Sequence, residues 1–164
     1  MNKKERLLAI LNGNKTDRPP VICPGGMMNP CVTELIKKYN IDFKKANSDG
    51  KTMAALSKLV VEENLFENYA VPFCMSIEAE AMGAECDIGS DTCEPHIKAY
   101  AADTMELTHF HKIDFTKGRP RAVLEAVSIL KKRQHSGNRK YSRSFFRRYK
   151  HCRSAKSVYG IKKR

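Results

Sequence analysis

The passage that most constrains the fold runs from Tyr69-Ala70-Val71-Pro72-Phe73 into Cys74-Met75-Ser76-Ile77-Glu78-Ala79-Glu80-Ala81-Met82-Gly83. A short apolar run feeds an acid-bearing helix start through a turn of small residues, and strand-to-helix turns of this kind are where α/β folds gather their ligands. An earlier stretch has the same design. Arg18-Pro19-Pro20 forces extended backbone, Val21-Ile22-Cys23 is a short apolar strand, and Pro24-Gly25-Gly26-Met27-Met28-Asn29 closes it as a loop. Helical patterns surround both. Residues 3–12 place Leu7, Leu8 and Leu11 on one face and stop at Gly13, while Asn29-Pro30 opens a helix with Val32, Leu35, Ile36 and Tyr39 inward. Residues 49–64 carry Met53, Leu56, Leu59 and Val60 at helical spacing, and Pro120 starts a helix to about Arg133 with Val123, Val127 and Leu130 inward. Short strands are expected at 85–88 and 96–100, split by the polar loop 89–95. The alternation predicts an α/β fold with parallel strands, in which the loops 24–29 and 74–78 share one edge.

Charge divides the chain more sharply than any linker. Residues 134–164 hold eleven of the thirty Lys and Arg and none of the eighteen Asp and Glu, so almost all of the formal +12 lies in this tail. The remaining 133 residues are nearly neutral, and the basic pI says nothing about them. The expected organisation is therefore one folded region over 3–133 and a basic tail over 134–164.

Cys23, Cys31, Cys74, Cys86, Cys93 and Cys152 contain no C-x-x-C pair, so neither a zinc clip nor a redox dithiol is written in their spacing. No apolar run approaches 18 residues, and Met1-Asn2-Lys3-Lys4-Glu5-Arg6 leads straight into a helix rather than a signal peptide. A cytoplasmic protein with reduced thiols and no membrane segment is expected.

The two strand-loop stretches, 17–29 and 72–85, resemble the N-terminal part of the uroporphyrinogen decarboxylase superfamily, and more closely its corrinoid branch, the methylcobalamin:coenzyme M methyltransferases. The resemblance covers roughly residues 3–133. It implies a (β/α)₈ TIM barrel, which needs about 250 residues. At 164 residues the chain supplies only a truncated, N-terminal part of one. The resemblance further implies a methyl group moving from methylcobalamin, presented by a corrinoid protein, to a zinc-activated small thiol such as coenzyme M. The family's zinc ligands, a His-x-Cys pair and a distant Cys, belong to its second half and are absent from this sequence, so the fragment is expected to be inactive alone. His109-Phe110-His111 reads as a surface loop.

Candidate substrate-binding residues follow from the two loops. Gly25 and Gly26 let backbone N–H groups approach a ligand, and Met28 offers an adaptable apolar wall. Decarboxylases of the superfamily carry a Met-Arg-Gln-Ala-Gly-Arg pattern here whose cations hold the substrate carboxylates, whereas no Arg occurs between Arg18 and Arg119. Counting back from Ala81-Met82-Gly83, the resemblance to the decarboxylases implies an aspartate where this sequence has Cys74. Glu78 is nearer the strand end than Glu80, so Glu78 is expected to face the site and Glu80 to lie on solvated helix surface.

Two other readings stay open. A uroporphyrinogen decarboxylase-type lyase would use the same barrel. A nucleic-acid-binding protein would use the tail, with Lys and Arg on phosphates and Tyr141, Phe145 and Tyr149 stacking on bases, although this is the less favoured account of residues 134–164. The favoured account is translation out of frame. Codons permitted by Gln134 to Ser144, read one nucleotide later, allow Asn-Ile-Pro-Val-Ile-Gly-Asn-Ile-Ala-Gly-Pro, which matches the family's Pro-Val-Ile-Gly-Asn…Gly-Pro strand at this place. An out-of-frame tail is expected to be irregular.

Overall fold

The computed structural model describes residues 1–27, 33–100 and 113–134. The chain divides into two compact units, Met1–Leu130 and Lys131–Arg164. Of the second, only the end of one helix lies within the described residues. The expected irregular tail, the His109-Phe110-His111 loop, Cys31, Cys152 and Met28 lie outside them.

Among the described residues, six α-helices and one small sheet make up the order α1 (Lys3–Leu11), α2 (Thr33–Lys38), α3 (Phe43–Ser48), α4 (Gly50–Glu62), α5 (Ile77–Ala81), β1 (Glu85–Asp87), β2 (His96–Ala99) and α6 (Gly118–Gln134). Local chemistry explains most of the helix starts. Asn2 and Glu5 form a reciprocal capping box on α1, with Glu5 N donating to Asn2 Oδ1 at 2.8 Å and Asn2 N to Glu5 Oε2 at 3.0 Å. Asp42 caps α3 by accepting from Lys45 N, and Asp49 caps α4 by accepting from Thr52 N and Thr52 Oγ1. The Thr52 contacts also hold the Asp49 carboxyl below its ordinary range.

The core is a layer of α2, α3, α4 and α6 residues with the 71–73 segment laid against it. Leu35, Ile36, Phe43, Ala46, Met53, Leu56, Val60, Val71, Phe73, Ala122, Ala126 and Leu130 are its buried members. α4 and α6 meet closely, since a Cβ on Gly50 would lie 2.6 Å from the Ala122 carbonyl oxygen. That approach is open only to glycine.

Several expectations are corrected. Residues 21–23 and 69–73 belong to no sheet, Phe73 leaves extended geometry at φ 93°, and the described residues form no closed barrel. They nevertheless run side by side in the same direction, because Glu67 N donates to Val21 O at 2.8 Å and Phe73 N to Gly25 O at 3.3 Å. Between these contacts the Asn68 side chain replaces a backbone rung, accepting from Cys23 N and donating to Cys23 O. Pro19, Pro20, Pro24 and Pro72 have no N–H to give, which is why a regular ladder fails here. The strands expected at 85–88 and 96–100 do form as β1 and β2, but they pair antiparallel, Cys86 opposite Ile97 and Asp87 opposite His96. A loop as short as 88–95 can only close a hairpin, since a parallel crossover takes a dozen residues or more.

Helix faces differ too. α1 buries Arg6 and Ala9, whereas Leu11 is exposed, so a charged anchor and not the leucine face holds it. Tyr39 is exposed, with its hydroxyl donating to Glu63 and its ring near Lys38 Nζ. In α6 the deepest residues are Ala122, Ala126 and Leu130, with Val123 and Val127 flanking the core, and the helix begins at Gly118. No described helix is long and apolar enough to cross a membrane.

Candidate functional site

The Phe73 N–H to Gly25 carbonyl contact brings the ends of the two extended segments together, so the turns after residues 23 and 73 lie at one edge. The first turn is a 3₁₀ turn over Pro24–Gly26 with both glycines at positive φ, 72° for Gly25 and 76° for Gly26. Their reasons differ. A Cβ on Gly26 would sit 2.7 Å from the Ala70 carbonyl oxygen and 3.1 Å from Phe73 Cδ1, so Gly26 is required by internal packing. A Cβ on Gly25 would meet nothing within 4 Å, so this is the exposed backbone of the turn.

An open cleft of about 250 Å³ lies beside these turns, lined by Met27, Thr33, Phe43, Phe73 and the hairpin loop 90–95. Phe73 reaches it from a backbone at φ 93°, a region that a bulky residue rarely occupies. That conformation must be imposed by its surroundings.

Cys74, the next residue, is turned inward and buried. Its sulfur accepts from Arg119 Nη2 at 2.6 Å and from Ser76 Oγ at 3.3 Å. Arg119 is only 4% exposed and makes three further hydrogen bonds, from Nε to Asn47 O at 3.0 Å, and from Nη1 to Glu80 Oε2 at 2.8 Å and Ser76 Oγ at 3.3 Å. One planar guanidinium therefore ties α6 to the end of α3, to the 74–76 turn and to α5. Cys86 borders this cluster, donating to Ser76 O at 3.6 Å; burial pushes its thiol up, and the Glu80 carboxylate adds to the effect. Asn47 Oδ1 is buried without a hydrogen-bond partner, while Asn47 Nδ2 donates to Phe43 O.

Glu80 is thus not the solvated surface residue expected of it. Glu78 is exposed, and Glu80 is the residue that turns toward buried Arg119. Ser76 and Glu80 are four apart, so Glu80 shares the inward face of Ser76, and Glu78 lies a half-turn away. Of the candidate residues, Gly25, Gly26 and Cys74 come together at one edge, Glu78 points away from the Arg119 cluster, and Met28 lies outside the described residues. Sequence reasoning missed Arg119, Ser76 and Glu80. The available signal was weak: Arg119 ends a hundred-residue stretch that uses Lys but no Arg, and it directly precedes a helix-starting proline.

Other chemistry-bearing groups stand apart. Cys93 is exposed, 3.9 Å from His96 Nδ1. Cys23, Cys74, Cys86 and Cys93 carry no disulfide. Among the described residues no group of three His, Cys, Asp or Glu side chains could hold a metal ion.

A helical layer packs against two segments whose turns meet at one edge, and the class this defines is the uroporphyrinogen decarboxylase family. The chain belongs to that family: the family model for uroporphyrinogen decarboxylase (URO-D) matches residues 2–138. Its curated relatives include a methylcobamide:CoM methyltransferase MtaA of Methanosarcina barkeri (strain Fusaro), 27% identical over 79% of this chain and 38% of the relative. Another is a methylated-thiol–coenzyme M methyltransferase of Methanosarcina mazei, 30% identical over 81% of this chain and 35% of the relative. A solved methyltransferase from Methanosarcina mazei shares the fold with TM-score 0.68 at 24% identity, covering 85% of this chain and 40% of that one. The chain spans well under half the length of the relatives it matches.

Proposed function

We propose that residues 3–133 build one wall of the substrate pocket of a corrinoid-dependent methyltransferase. In the whole enzyme a methyl group passes from methylcobalamin, carried by a corrinoid protein, to a zinc-activated thiol such as coenzyme M. Gly25, Gly26, Met28 and Cys74 belong to that wall, and Glu78 lies at its rim. The zinc has no cradle among the described residues, so what these residues contribute is shape, exclusion of water and an apolar surface.

The observation that carries this reading over a decarboxylase is the engagement of Arg119. A porphyrinogen substrate presents many carboxylates and calls for guanidinium forks directed at it. The turn at 24–27 carries no cation, and Arg119 is committed to Glu80, Cys74, Ser76 and Asn47. An apolar wall without cations suits a small thiol and a corrinoid face better than a polyanion. The names of the methyltransferase relatives support the same choice.

The test replaces the matching segment of the Methanosarcina barkeri methyltransferase with residues 1–133 of this chain. The folded, zinc-loaded chimaera is expected to demethylate methylcobalamin only when a thiol is supplied, followed by the cobalamin absorbance change. A folded chimaera that leaves methylcobalamin untouched and decarboxylates uroporphyrinogen would overturn the proposal.

A further inference from the structure

We propose that Arg119 is a positioning residue of the pocket wall: it clamps the Cys74 sulfur inward from α6 and thereby holds Phe73 against the cleft. This rests on reading the 24–27 and 73–76 turns as that wall. The reason lies in the Phe73 backbone. At φ 93° a phenylalanine is strained, and nothing in its own sequence favours that state. Phe73 is held directly by its N–H to the Gly25 carbonyl and by core packing, and its neighbour Cys74 adds two further restraints, from Arg119 Nη2 and from Ser76 Oγ.

The form of the contact argues against simple core filling. An arginine buried to 4% exposure loses its hydration, and one carboxylate at the edge, Glu80, already neutralises it. The remaining N–H groups are spread over Asn47 O, Ser76 Oγ and Cys74 Sγ, three points that fix the turn relative to α3 and α6. A lysine could carry the charge but could not make these bonds together. Phe73, set by this clamp, is one of the aromatic residues lining the cleft and so decides what width of ligand enters.

Peptide-resolved labelling of the full chain with iodoacetamide tests the clamp without requiring methyl transfer, so it can fail while the methyltransferase reading stands, and the reverse. Cys23 is the internal reference, because it is buried in the same unit and is not among the Arg119 hydrogen-bond acceptors described above. In Arg119→Met the labelling rate of Cys74 is expected to rise at least about tenfold, the effect of losing one charge-assisted hydrogen bond, with Cys23 unchanged. Arg119→Lys should fall between. An equal rise at Cys74 and Cys23 would mean that Arg119 only supports the core, and no rise at Cys74 would mean that the sulfur is not held; either result overturns the proposal. If Arg119→Met loses its helical circular dichroism, Ser76→Ala decides. It removes the second donor without stranding Glu80, and a rise confined to Cys74 supports the clamp, while none refutes it.

Discussion

Gly25 and Gly26 are adjacent, both at positive φ, and identical in a sequence pattern, yet the structure asks different things of them. Gly25 needs only the conformation, because a side chain there would project into open space. Gly26 needs both the conformation and the absence of a Cβ, because the Ala70 carbonyl and the Phe73 ring close over it. Gly26→Ala is therefore expected to destabilise the chain by about 2–5 kcal/mol, combining backbone strain with a forced shift of the 70–73 segment. Gly25→Ala should cost only about 1 kcal/mol, the strain alone. Urea midpoints of the two variants check this, and equal losses would show that the second turn does not lock onto the first. The consequence for function is direct. Gly26 keeps the two segments together, so the wall of the cleft depends on the packing of this glycine against Ala70 and Phe73.

At the scale of elements, α1 is held by a charge cluster rather than by its leucines. Buried Arg6 donates to Asp17 Oδ1 and Oδ2 at 2.7 and 2.8 Å and to Glu67 Oε2 at 2.9 Å, while Arg18 also pairs with Glu67 and the N-terminal ammonium with Asp17. The Arg6 hydrogen bond holds the Asp17 carboxyl well below its ordinary value of 3.8. Burial pushes Glu67 upward, but the bonds from Arg6 and Arg18 outweigh it and leave the carboxyl below 4.5. Depressed carboxyls stabilise the folded state above their unfolded values, and that stabilisation is lost as pH falls through the folded ones. The docking of α1 should thus be constant above about pH 5 and weaken steadily below about pH 4. Urea midpoints at pH 7 and pH 3 should differ, and Asp17→Asn should shrink the difference; a midpoint that ignores pH would rule the clasp out. The periodicity of α1 pointed to its leucines because a helical wheel cannot see a partner eleven or sixty-one residues away. For the same reason the spacing of α5 predicts a solvated Glu80, and nothing local marks Arg119 as its partner: their roles exist only once α5 and α6 face each other. α4 is legible because its Asp49 cap and apolar spacing are local, α6 because a proline marks its start and its apolar spacing is local, and the turns at 24–26 and 73–76 because glycine, proline and small residues mark them. α3 was missed since six residues with only Phe43 and Ala46 inward are too few to show a period. The extended segments were legible as extended, but their pairing was not, because it depends on the Asn68 side chain and on prolines that cannot donate.

Across the whole molecule, a nearly neutral family region carries a terminal run with eleven positive charges and no acid. The family model ends at residue 138, just inside that run, and the curated relatives extend far beyond the length that this chain covers. A sequence selected to bind nucleic acid would be expected to pair its cations with specific contacts to bases, whereas an out-of-frame sequence carries charge without design. Both attract a polyanion, and salt alone does not separate them, because counterion release governs affinity in either case. Sequence preference does. We propose the out-of-frame account, and the expected outcome is that the full chain binds unrelated RNAs with equal, weak affinity that collapses between low and physiological salt, and that deleting residues 134–164 abolishes it. Fluorescence anisotropy with several RNAs of equal length, at two salt concentrations, measures this for both forms. On the out-of-frame account the deletion should leave helix content and the urea midpoint nearly unchanged, because such a sequence was never selected to pack. Tight binding to one RNA, lost on deletion, would instead make the tail a module in its own right and would remove the out-of-frame account.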